Sequence, residues 1–139
     1  MTKGEQDKFD RLIDKVLREL PLAVRELFDE APIIIEDRPS KDLLEELELD
    51  PDDDTLCGLY TGTPMVERSV DDSPRSPDCI HIFREGILQQ AGGWEPDEVD
   101  GEPIGGEDAI TREIRITILH ELGHHFGLDE EDLERMGYE

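Results

Sequence analysis

Residues 110–136 read ITREIRITILHELGHHFGLDEEDLERM, and this stretch decides the fold. Ile110, Ile114, Ile118, Leu122 and Phe126 recur every fourth residue, with Ile116 and Leu119 beside them. That period predicts a helix with one buried face. On it stands His120-Glu121-Leu122-Gly123-His124. At about 100° per residue, His124 lies about 40° around the helix from His120, one turn along, and Glu121 lies about 60° beyond His124. Gly123 weakens a helix in isolation, and its presence predicts close packing of the helix on a sheet. Gly127 follows His124 by three residues. A glycine there takes positive φ, ends the helix and turns the chain back. The return brings Asp129-Glu130-Glu131-Asp132 towards the two imidazoles.

Two imidazoles one turn apart can reach a single ion, and imidazole pairs suit zinc. A coordination position left to water makes such a site catalytic. Zinc lowers the pKa of that water, and Glu121 can take its proton and later return one to a leaving amine. The expected reaction is attack of water on a peptide carbonyl. The competing reading is an exposed helix that happens to bear two of the chain's four histidines. The strong period and Gly127 weigh against it. His125 points off the metal face as a surface or supporting residue. His81 reads as a strand residue, with a role in the cleft left open.

Outward from this helix the chain predicts small elements. Residues 5–20 form an amphipathic helix through Phe9, Leu12, Ile13, Val16, Leu17 and Leu20. Pro21 ends it or starts a second short helix with Leu22, Val24, Leu27 and Phe28. Residues 31–35 (APIII) read as a buried strand, and Ser40 caps a helix over 41–48. Residues 49–54 (LDPDDD) form an acidic turn whose spacing does not match a calcium loop. Residues 55–61 and 64–70 read as strands joined at Gly62, with Pro64 to Val70 as an edge for an extended peptide. Residues 71–78 form a loop, and Cys79 to Arg84 a strand. Gly86 to Ala91 adds a helical turn. Residues 92–108 hold five Gly and two Pro among many acids. They predict a mobile loop, with 92–106 an acidic insertion in which Trp94 is a local anchor. The whole, 1–139, reads as one α+β domain.

Composition excludes several classes. The 139 residues carry 14 Lys and Arg against 38 Asp and Glu, a formal net charge of −24. That is about −0.17 per residue, near the compositional border of disorder. Apolar residues make up 35% and aromatics 5%, so the core is small and aliphatic. Phosphate would repel this surface, so no nucleic-acid partner is expected. No stretch approaches the roughly 18 apolar residues of a membrane span. The start, MTKGEQDKFDRLIDK, lacks the apolar core of a secretory signal, and a cytoplasmic location is expected. Cys57 and Cys79 then read as separate thiols. The acidity suits a salty cytoplasm, or an acidic face that docks a basic protein partner.

HELGHHFGLDEEDLERMGY resembles the signature of the small bacterial zincin-like metallopeptidase family, the minimal metalloprotease-like proteins. LPLAVRELFDEAPIIIEDRPS, LDPDDDTLCGLYTGTPMVERS and DCIHIFREGIL resemble the same family in order and spacing. The resemblance implies a compact zincin-like α+β domain, a small mixed sheet with the motif helix against it, one zinc ion, and hydrolysis of a peptide or protein substrate. The family's pattern HExxHxxGxxD places an Asp ten residues after the first His. Here that position is Glu130, with Asp129 one earlier. The implied metal ligands are His120, His124 and, by register, Glu130, with Asp129 as the alternative; Glu121 is the general base. Met136 and Tyr138 are read as packing the last helix, with Tyr138 as a hydrogen-bond donor to an oxyanion the other reading. Against the peptidase stands a second class, a non-catalytic acidic interaction module on the same scaffold that binds a basic partner.

Overall fold

A computed structural model describes residues 1–29, 31–49, 56–62, 78–127 and 131. The first helix, α1 (Lys3–Glu19), starts at Thr2. The Thr2 hydroxyl accepts the Glu5 N–H at 3.1 Å, and the Glu5 carboxylate accepts the Thr2 N–H at 3.4 Å. This reciprocal cap satisfies two donors that a helix start leaves unpaired. Pro21 stops α1 and opens α2 (Leu22–Glu26), which tightens into a 3-10 turn at Leu27–Asp29. Then come β1 (Ile33–Glu36) and α3 (Lys41–Glu46), whose Ser40 cap accepts the Leu43 N–H at 3.1 Å. β2 (Gly58–Thr61), β3 (Cys79–Phe83), α4 (Arg84–Ala91), β4 (Asp97–Val99), β5 (Glu102–Ile104) and α5 (Gly106–Phe126) follow among the described residues.

Among the described residues, β3 is the centre of a three-stranded mixed sheet, β1-β3-β2. It runs parallel to β1, with Ile33 opposite Ile80, and antiparallel to β2, with Gly58 opposite Ile82. Ile80 and Ile82 point to the layer formed by α1, α4 and α5. Against them α5 lays Ile110, Ile114, Ile118 and Leu122, each 0% exposed, and α1 lays Phe9, Ile13 and Val16. Each such side chain contributes about 1.5–3 kcal/mol of burial, so a few residues hold α5 to the sheet. Leu119 joins this layer, whereas Ile116 lies on the outer side of α5 at 47% exposure. The α+β class, the mixed sheet and the motif helix agree with the sequence expectation. No helix among the described residues is long and apolar enough to cross a membrane.

Three expectations are corrected. β1 is a strand, but burial alternates along it and Ile34 is 39% exposed, because Ile33 and Ile35 face the helical layer while Ile34 shares with His81 the opposite face of the sheet. Residues 92–108 are not an irregular loop. β4 and β5 form a hairpin with Asp100 and Gly101 between them, both at positive φ. An Asp-Gly pair suits that two-residue turn because its twist matches the strands. The third correction is length: α4 is a full helix from Arg84, and α5 starts at Gly106, a turn ahead of the apolar period. Trp94 anchors this region: its ring packs on the core and carries the Lys8 ammonium 4.8 Å from its centroid. Residues 50–54 of the acidic turn, the first residue of the 55–61 strand, the 64–70 strand and residues 71–77 of the 71–78 loop lie outside the described residues.

Arg84 ties the ends of the layers together. Its guanidinium donates to both oxygens of Asp10 on α1 at 3.0 Å and to Asp37, just after β1, at 2.9 Å. Gln6 donates to the other Asp37 oxygen at 2.8 Å. Burial raises the Asp37 carboxyl, but the hydrogen bonds from Arg84 and Gln6 and the guanidinium charge outweigh it, and it titrates below its ordinary 3.8. Arg84→Ala leaves two carboxylates facing each other without a cation. Urea denaturation at pH 7 should show a loss of about 2 kcal/mol. A lowered carboxylate stabilises fully above its unfolded value, so the deficit should shrink as pH falls through the lowered pKa, below 3.8.

Candidate metal centre

The last turns of α5 carry the motif. Ile114, Ile118 and Leu122 bury the core side of this helix, and His120 and His124 therefore come out exposed, one above the other. Their ring centroids are 4.6 Å apart at an interplanar angle of 63°. Gly127 ends the helix as expected, at φ 67° and ψ 30°, and its N–H donates to the Gly123 carbonyl.

Glu121 lies between solvent and core, 6% exposed, with its carboxylate beside the imidazoles. Its Oε1 is 3.2 Å from His124 Nδ1. One ligand atom from each of His120, Glu121 and His124 can be chosen so that all lie within 4.8 Å of one another. A proton on Nδ1, held by Glu121, leaves the Nε2 lone pair of His124 for a cation. Two open imidazoles and a partly shielded carboxylate are a donor set that fits a zinc-type ion.

Of the sequence-predicted site residues, His120, Glu121 and His124 are brought together. Glu130, Asp129, Met136 and Tyr138 lie outside the described residues, as does the side chain of His125. Glu131 is exposed. His81 is not in the group: it sits on the sheet face away from Ile80 and Ile82, with Nε2 3.2 Å from the Thr61 hydroxyl and Nδ1 3.4 Å from Glu36.

β2 also borders the site, a contribution beyond the residues expected from the motif. Gly58 is buried where this strand meets Thr117 and Glu121 of α5. The available signal was a lone glycine inside the strand-like run TLCGLYT, which marks a close backbone approach. Cys57 precedes it. Cys57 and Cys79 are both free, as expected. Burial first, then the negative charges of Glu113 and Glu121, push the Cys57 thiol from its ordinary 9.0 to about 11. The thiol therefore stays neutral at physiological pH and adds no second anion beside Glu121. Two pKa units are a factor of about 100 in thiolate fraction. Iodoacetamide at pH 8 should alkylate Cys57 about 100-fold more slowly than the same cysteine in the urea-unfolded chain. Mass spectrometry of quenched samples reads that ratio, and equal rates would contradict the shielding.

A family model described as zincin-like metallopeptidase matches residues 28–138. The matched span runs from the 3-10 turn before β1 through the sheet and the whole of α5. It leaves out α1, which in this fold supplies a large part of the layer packed on α5. No curated protein matches the chain.

Proposed function

The chain belongs to the zincin-like metallopeptidase family, and on that premise we propose that it is a zinc-dependent peptidase that hydrolyses peptide bonds at the end of α5. His120 and His124 would hold one zinc ion, with Glu130 as third ligand by register and Asp129 as the alternative. The observation that carries this reading is the grouping of His120, Glu121 and His124 within 4.8 Å, with the carboxylate as the buried member.

When bound, zinc acidifies the attacking water and polarises the scissile carbonyl. Glu121 is the base. As the water oxygen bonds to the carbonyl carbon, a Glu121 oxygen takes the water's proton, and it delivers that proton to the amine nitrogen as the C–N bond breaks. Its low exposure keeps the carboxylate from being diluted in bulk solvent, so its charge acts in a medium of reduced dielectric. His124 steadies it from the side, through the Nδ1 contact. The two imidazoles, open to solvent, leave room for a peptide to approach.

A second reading draws on the net charge of −24: a non-catalytic module on this scaffold whose acidic surface docks a basic protein. The free state of both cysteines suits a reducing compartment such as the cytoplasm for either reading.

Elemental analysis combined with a peptide-library digest tests the proposal. Wild type should carry zinc at about one ion per chain and cleave peptides. Glu121→Gln should keep the zinc and lose at least about 100-fold in cleavage. His120→Ala should lose the zinc. Cleavage that survives Glu121→Gln, or zinc that survives His120→Ala, would overturn the assignment. Absence of cleavage in wild type with retained binding to a basic protein would favour the second reading.

A further inference from the structure

β2 reaches α5 through a residue that has no side chain. A methyl group at Gly58 would stand 2.6 Å from Thr117 Cγ2, 3.0 Å from the His81 carbonyl oxygen and 3.2 Å from Glu121 Cγ. Thr117 and Glu121 are four apart on α5, so Gly58 occupies the hollow between two successive turns. Its φ lies outside the left-handed region, so the need for glycine here is one of space.

Most of what surrounds this hollow is held. The His81 carbonyl belongs to the central strand, which is paired on both sides. The Phe83 N–H donates to the Cys57 carbonyl at 2.9 Å and pins the residue before Gly58. α5 is fixed by Ile114, Ile118 and Leu122, all fully buried. Thr117 is itself 7% exposed, and a branched side chain in a helix has few χ1 choices. The neighbour with freedom is the unbranched stem of Glu121. Its far end is the carboxylate 3.2 Å from His124 Nδ1.

We propose that Gly58 is a positioning residue for Glu121: the bare backbone of β2 lets the Glu121 stem lie against the sheet and so sets its carboxylate at His124. The inference rests on the reading of Glu121 as the proton-transfer group, but its geometric half is separable from that chemistry. A side chain at position 58 displaces the stem while leaving His120 and His124 on the outer side of the helix. The damage therefore falls chiefly on proton transfer, and the two imidazoles still hold the metal, at an affinity lowered by the loosened His124 Nδ1 contact.

The test is Gly58→Ala, read in two states. In metal-free protein, the Nδ1 resonance of His124 in an imidazole 15N spectrum should move in the direction that Glu121→Gln moves it. In zinc-loaded protein, stoichiometry should match wild type, and zinc affinity should fall by no more than about tenfold, the cost of loosening the His124 Nδ1 contact. kcat on a cleaved library peptide should fall at least about tenfold, with KM within about twofold. Adding Thr117→Ser removes the nearest methyl. The double variant should fall between wild type and Gly58→Ala in both the 15N shift and kcat. A role in packing alone would lower the melting temperature and leave the 15N resonance and kcat of folded protein as in wild type; that result overturns the proposal. So does a loss of kcat matched by loss of zinc. If Gly58→Ala does not fold, the double variant replaces it: an intermediate shift supports the assignment and wild-type values overturn it. If wild type cleaves no peptide, the peptidase reading falls, and the metal-free 15N shift still decides whether Gly58 seats Glu121.

Discussion

The site depends on one packing constraint, the burial of the Ile110, Ile114, Ile118 and Leu122 stripe of α5 between α1 and the mixed sheet. A helix held along one stripe has no rotational freedom left. Its remaining side chains are therefore aimed by arithmetic: His120 and His124 outward, Glu121 at the boundary where the helix meets β2. Rotation by one residue, about 100°, would bury an imidazole and expose an isoleucine. The aliphatic contacts and the chemistry are thus one requirement on the same 21-residue helix.

Much of this was legible in the sequence because it is periodic and local. The fourfold repeat of apolar residues, the His-Glu-x-x-His spacing and Gly127 all act within one helix, where residue number maps onto angle. Ser40 as a cap was legible for the same reason. What escaped is non-local. That one face of β1 is left open depends on what covers the sheet, which an APIII run does not encode. Gly58 matters through residues 59 and 63 positions away, Thr117 and Glu121. The β4–β5 hairpin was locally written in Asp100-Gly101, but the glycine and acid content around it reads as loop composition and masked the signal. The proposed third ligand, Glu130 or Asp129, lies in the chain beyond Gly127, where helical arithmetic no longer applies.

The acidity has a structural counterpart. Among the described residues, four cations tie elements distant in sequence: Lys8 to Glu107, Arg38 to Glu85, Arg84 to Asp10 and Asp37, and Arg115 to Glu19. Three of these five pairs involve α1, and two involve α5. Exposed pairs of this kind contribute little individually, and salt screens them. Arg84, the best shielded, carries more. With a net charge of −24, each bridge also relieves repulsion between layers that would otherwise present carboxylate to carboxylate.

The most direct measurement is zinc K-edge X-ray absorption on protein loaded with one equivalent of the metal. The account predicts a first shell of nitrogen and oxygen alone at about 2.0–2.1 Å, with outer-shell scattering from two imidazole rings. A sulfur shell near ~2.3 Å, or a spectrum without imidazole scattering, would contradict it, because the ion would then sit away from the end of α5.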